Sequence, residues 1–128
     1  MRACARALAA ILAIGAAAPD AAACGACIED KVAATFDYAV ITKAAKRHHV
    51  VVFAEFAGDG GAAVALEPLR AAAARAPGVD PASVRASGAP QALSFALDPA
   101  VSTPQAALAV IERGTRGTKV KLTLLRTM

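Results

Sequence analysis

From residue 24 onward the chain switches between two hydrophobic periods. Ile28, Val32, Phe36 and Val40 recur every four residues, with Ala33 and Ala39 beside them. That spacing predicts a single helix over residues 24–47 with one apolar stripe. Glu29 and Asp30 fall in its first turn and Lys43, Lys46 and Arg47 in its last, which suits the helix dipole. The period then changes. Val50, Val51, Val52 and Phe53 run together within His49 to Ala57, as in a strand buried on most sides, and Gly58-Asp59-Gly60-Gly61 ends it. A second helix is expected from Ala63 or Glu67 to Arg75, with Pro68 tolerated only in its first turn, and Pro77-Gly78 stops it. The alternative is a hairpin at Asp59-Gly60 into residues 62–66.

Residues 79–87 read as a short strand, and Gly88-Ala89-Pro90 as a turn. Gln91 to Leu97 alternates, with Leu93, Phe95 and Leu97 on one side. Thr103 is placed to cap a helix that has Pro104 in its first turn and Ala107, Leu108 and Ile111 on its inner face, running to Arg113. Lys119 to Arg126 alternates again through Val120, Leu122 and Leu124. From residue 49 the order is β-α-β-β-α-β. The expected class is α+β, a ferredoxin-like sandwich preceded by an extra N-terminal helix. Phe95 and Leu122 should face one core. The stripe of the extra helix needs cover, and the open sheet face or a partner protein could supply it.

Composition refines this. The 128 residues suffice for one domain. Of the 57% apolar residues, 37 are Ala, while Phe numbers four, Tyr one and Trp none, so the core must be thin and made of Val, Leu, Ile and Phe. A 19% charged fraction excludes a disordered chain. The net charge of +4 comes from scattered basic residues without interleaved aromatics, which disfavours nucleic-acid binding. No uninterrupted apolar run is long enough for a permanent membrane span.

The first residues have a different logic. Arg2 and Arg6 precede the apolar stretch Ala7 to Ala18, and Pro19-Asp20 and Ala21-Ala22-Ala23 follow. This is the layout of a secretory signal peptide over residues 1–23. Cleavage after Ala23 would start the mature chain at Cys24, in the periplasm or outside the cell. Lipidation of Cys24 is an alternative, although Ala21 stands where the lipoprotein signal usually has a Leu-like residue; an uncleaved N-terminal anchor is another. Residues 24–48 would then carry a helix with a Cys-x-x-Cys, and residues 49–128 the sandwich.

Over about residues 49–126 the chain resembles the heavy-metal-associated domain, a metallochaperone-like module. The resemblance lies in Pro77-Gly78-Val79 after the first helix, Val84 in a short strand, Leu93 to Phe95 leading to Asp98-Pro99, and Pro104 through Ile111-Glu112 into a Gly-containing turn and last strand. It implies a ferredoxin-like fold and metal handling. The family's own Cys-x-x-Cys loop joins the first strand to the first helix, and this chain has Gly58 to Val64 there, with no Cys.

The chain's own thiol pair is Cys24-Gly25-Ala26-Cys27. Its spacing lets both sulfurs reach one point, and a helix N-terminus favours thiolate. Two thiolates suit Cu(I) or another soft metal ion. The same pair could exchange disulfides, though no strand precedes it as in thioredoxin-like settings, or it could form a local disulfide in an oxidising compartment. His48 and His49 follow Lys46-Arg47, where basic groups suit a helix end, and a straight helix would hold them roughly 30 Å from the pair. No enzymatic constellation is visible. The expected function is soft-metal binding or handling, with copper foremost, through Cys24 and Cys27, with a membrane transporter or another exported protein as partner. The alternatives are a thiol–disulfide redox accessory and a non-catalytic interaction module with a structural disulfide.

Overall fold

The computed structural model describes residues 27–128; the expected signal peptide and Cys24 lie outside them. Among the described residues four α-helices accompany one four-stranded antiparallel sheet, an α+β architecture. The helices are α1 (Ile28–Thr35), α2 (Tyr38–Lys46), α3 (Leu66–Arg75) and α4 (Pro104–Gly114). The strands are β1 (Val50–Gly58), β2 (Arg85–Gly88), β3 (Gln91–Leu97) and β4 (Val120–Thr127), in the sheet order β2-β3-β1-β4. No helix among the described residues is long and apolar enough to cross a membrane.

The central position of β1 explains the unbroken apolar run at its start. Val52, Ala54 and Phe56 point into a core shared with Leu93, Phe95 and Leu97 of β3, Leu122 of β4, Leu69 of α3 and Ile111 of α4. Val51 and Phe53 point the other way, into a smaller cluster with Val32, Val40, Ala44 and Ala96. A strand covered on both faces loses the alternation of a half-exposed one. Phe95 and Leu122 do share one core.

The open sheet face is therefore covered by α1 and α2. The expected single helix over residues 24–47 is corrected here, because the chain breaks at Phe36-Asp37. Asp37 is extended (φ −136°, ψ 113°) and its Oδ1 accepts from the backbone N–H groups of Ala39 (2.9 Å) and Val40 (3.3 Å). Aspartate competes for backbone donors in this way and so starts helices better than it continues them. The break also corrects the expected stripe. Val32 and Val40 are buried, but Ile28 and Phe36 remain 49% and 47% exposed.

Elsewhere the boundaries shift slightly. A 3-10 turn at Asp59–Gly61 leads on towards α3, so the Asp59-Gly60 hairpin does not form. A Cβ on Gly58 would lie 2.0 Å from the Ala62 carbonyl oxygen, and that close approach is what glycine permits. The strand expected at residues 79–87 shrinks to Arg85–Gly88, because Asp80 caps a 3-10 turn at Pro81–Ser83 through Oδ1 and the Ala82 N–H (3.1 Å).

Candidate functional site

Cys27 is the residue before α1 and is exposed. Its carbonyl accepts from the Lys31 N–H (3.1 Å), but its side chain makes no capping bond. Two ion pairs seat this end of α1 on the sheet: Glu29 with Arg126 of β4, and Lys31 with Glu55 of β1. The Arg126 guanidinium, by hydrogen bond and then by charge, holds the Glu29 carboxyl below its ordinary range. Of the charged residues in this first turn, Glu29 and Lys31 thus have partners on the sheet, and Asp30 makes no ion pair among the described residues.

His48 and His49, which one straight helix would hold roughly 30 Å from the thiol pair, instead follow α2, beyond the break at Phe36-Asp37. His48 is exposed with φ 57°, the left-handed turn that ends the α2 segment. His49 immediately precedes β1; its Nε2 lies 3.8 Å from Asp98 Oδ2, and its Nδ1 is buried without a hydrogen-bond partner. Among the described residues no three His, Cys, Asp or Glu side chains converge as a metal-holding group. Of the expected ligands, Cys27 is at the head of α1 and Cys24 lies outside the described residues.

A second concave site was not read from the sequence. It lies between α2 and the Pro81–Ser83 turn, with Lys43 and Arg47 on one wall, Asp80 and Arg85 on the other, and His49 also lining it. Val40, Ala44 and Ala96 form an apolar floor, and the cleft encloses about 180 Å³. Asp80 Oδ2 lies 3.4 Å from Lys43 Nζ and 3.7 Å from Arg47 Nη1. Arg85 is fixed by Asp37 Oδ2 and by the carbonyls of Ala82 and Val84. The available signal was Lys43 and Arg47 four apart, one row of a helix, but their counterparts at 80 and 85 come from a distant segment.

No family model, curated protein or solved structure matches the chain.

Proposed function

We propose that the chain is an exported soft-metal-binding protein that holds Cu(I) between Cys24 and Cys27. The observation that carries this reading is Cys27 itself: a free thiol exposed at the residue before α1, its side chain making no capping bond and so open to a ligand. Cys24 lies three residues earlier, within reach of the same ion. Two soft sulfurs match the low coordination number that Cu(I) accepts. The basic and apolar leader of residues 1–23 supports export, and a membrane transporter or another exported protein is the proposed partner.

The proposed fold family is ferredoxin-like, and its heavy-metal-associated branch the proposed relative. Support comes from the antiparallel order β2-β3-β1-β4 with α3 and α4 against one face. The family's metal loop would fall at Gly58 to Val64, which holds Asp59-Gly60-Gly61 in a tight turn and no Cys. The proposal therefore assigns the ion to the head of α1, an element outside the β-α-β-β-α-β unit.

The test is anaerobic titration of the reduced, mature protein with Cu(I) against a colorimetric chelator. One ion per chain, lost in Cys24→Ser and Cys27→Ser and kept in the double change of His48 and His49 to Ala, is the expected result. Catalysed disulfide exchange without copper retention would replace this reading with the redox one. Neither activity would leave the pair as a structural disulfide.

A further inference from the structure

We propose that the cleft between α2 and the Pro81–Ser83 turn binds a small organic anion: a carboxylate or phosphate head on a short apolar body. The cleft is lined by residues of α2, the Pro81–Ser83 turn and the sheet and not by Cys27, and the inference is independent of metal binding. Three full cations line it, Lys43, Arg47 and Arg85, against one carboxylate, Asp80. Arg85 has its own counter-ion in Asp37. Asp80 is left to serve both Lys43 and Arg47, at 3.4 and 3.7 Å. Both contacts exceed an ordinary charged hydrogen bond of about 2.7–2.9 Å. The arrangement thus has one positive charge in excess, and its two mobile donors are only loosely engaged.

Two further features point to an anion with an apolar part. The Asp80 side chain is only 14% exposed, so its charge is fixed in the wall, whereas Lys43 and Arg47 are about half exposed and can turn inward. The floor of Val40, Ala44 and Ala96 is apolar and buried, which suits a short hydrocarbon body rather than a bare hydrated ion. At about 180 Å³ the site admits a ligand of only a few carbon atoms.

The experiment is a two-dimensional amide NMR titration of the mature, metal-free protein with butyrate, butyl phosphate and inorganic phosphate in parallel. Butyrate or butyl phosphate should give saturable shifts at Val40, Lys43, Ser83 and Ala96, and the relative affinities identify the head group. Inorganic phosphate should bind at least about tenfold more weakly, because it leaves the apolar floor uncovered. Lys43→Gln and Arg47→Gln should each weaken binding by roughly tenfold, Arg47→Lys should retain most of it, and Lys46→Gln, on the same helix but outside the cleft, should change nothing. Circular dichroism melting curves show whether each variant keeps its fold. Absence of saturable shifts up to about 10 mM, far weaker than specific small-ligand binding, overturns the proposal. So does equal binding by a folded Lys43→Gln, Arg47→Gln double variant, or tighter binding of inorganic phosphate than of the two organic anions.

Discussion

Asp37 and Arg85, 48 positions apart, are joined by one carboxylate that serves two structures. Its Oδ1 caps α2, and its Oδ2 accepts from Arg85 Nε (3.2 Å) and Nη2 (3.0 Å) at the start of β2. The helix start and the sheet edge are thereby coupled through a single side chain.

The pH response of that coupling follows. The Val40 N–H, then the Arg85 guanidinium, hold the Asp37 carboxyl below its ordinary range. A lowered folded pKa means stability that is complete above the unfolded value, near pH 4, and lost as pH falls through the folded value. Asp37→Asn keeps a capping oxygen but loses the charge. Acid titration followed by near-ultraviolet circular dichroism should show the wild-type protein losing stability below about pH 4, with a shallower slope in Asp37→Asn. Parallel curves would remove Asp37 from the acid response.

The two sheet faces should fail differently. Phe95 and Phe53 are both almost wholly buried, Phe95 in the core with α3 and α4 and Phe53 under α1 and α2. Phe95→Ala should cost about 3–5 kcal/mol in urea denaturation, as large aromatic truncations in cores do. Phe53→Ala should cost less, since its smaller cluster is largely Val and Ala and can close over the gap. Its hydrogen exchange should accelerate in α1 and α2 first. Equal losses would mean that the two faces form one cooperative core.

The edge strand β4 carries its own protection. Glu112 Oε1 on α4 accepts from the Leu122 N–H at 2.7 Å, occupying a donor that an outermost strand could offer to another chain. Glu112→Ala should raise concentration-dependent association in analytical ultracentrifugation, and Glu112→Gln, which can still accept, should raise it less. A monomeric Glu112→Ala protein at high concentration would show that the bond is merely local.

Much of this layout was legible from period alone. Gln91 to Leu97 forms β3 with the expected ends, and Thr103-Pro104 starts α4, because a capping hydroxyl and a proline act locally. The break at Phe36-Asp37 was hidden because the four-residue apolar spacing continues through it. Against that spacing stood the capping tendency of Asp37 itself, to which the structure adds its contact with Arg85, a long-range pairing that leaves no trace in the local pattern. The Lys43–Arg47 cleft was hidden for a related reason: its second wall is set by Asp80 and Arg85, and long-range pairing leaves no periodic trace. Cys27 was visible as one member of a motif, yet its exposure depends on how α1 sits on the sheet.

That seating combines several ion pairs with a small apolar cluster, and it yields the last prediction. Lys31–Glu55, Glu29–Arg126, Asp37–Arg85 and the Lys43 and Arg47 contacts with Asp80 all tie α1 or α2 to the rest of the domain. The apolar contribution beneath them is small: Val32, Val40, Ala44, Val51, Phe53 and Ala96, with Ile41 beside them. The opposite face has Phe56, Phe95, Leu69, Leu93, Leu97 and Ile111 in its core, and no comparable ring of ion pairs joins its helices to the sheet among the described residues. Partly exposed pairs are individually weak and are screened by salt, whose Debye length falls from about 10 Å at 0.1 M to about 3 Å at 1 M. Apolar burial is not weakened in this way. Raising sodium chloride from about 0.1 M to about 1 M should therefore speed hydrogen exchange in α1 and α2 while leaving α3 and α4 as they were. Arg126→Gln combined with Arg85→Gln should produce the same pattern already at low salt. If exchange in all four helices responds alike, or if α1 and α2 are the slower pair, the apolar cluster rather than the ion pairs holds the cover in place.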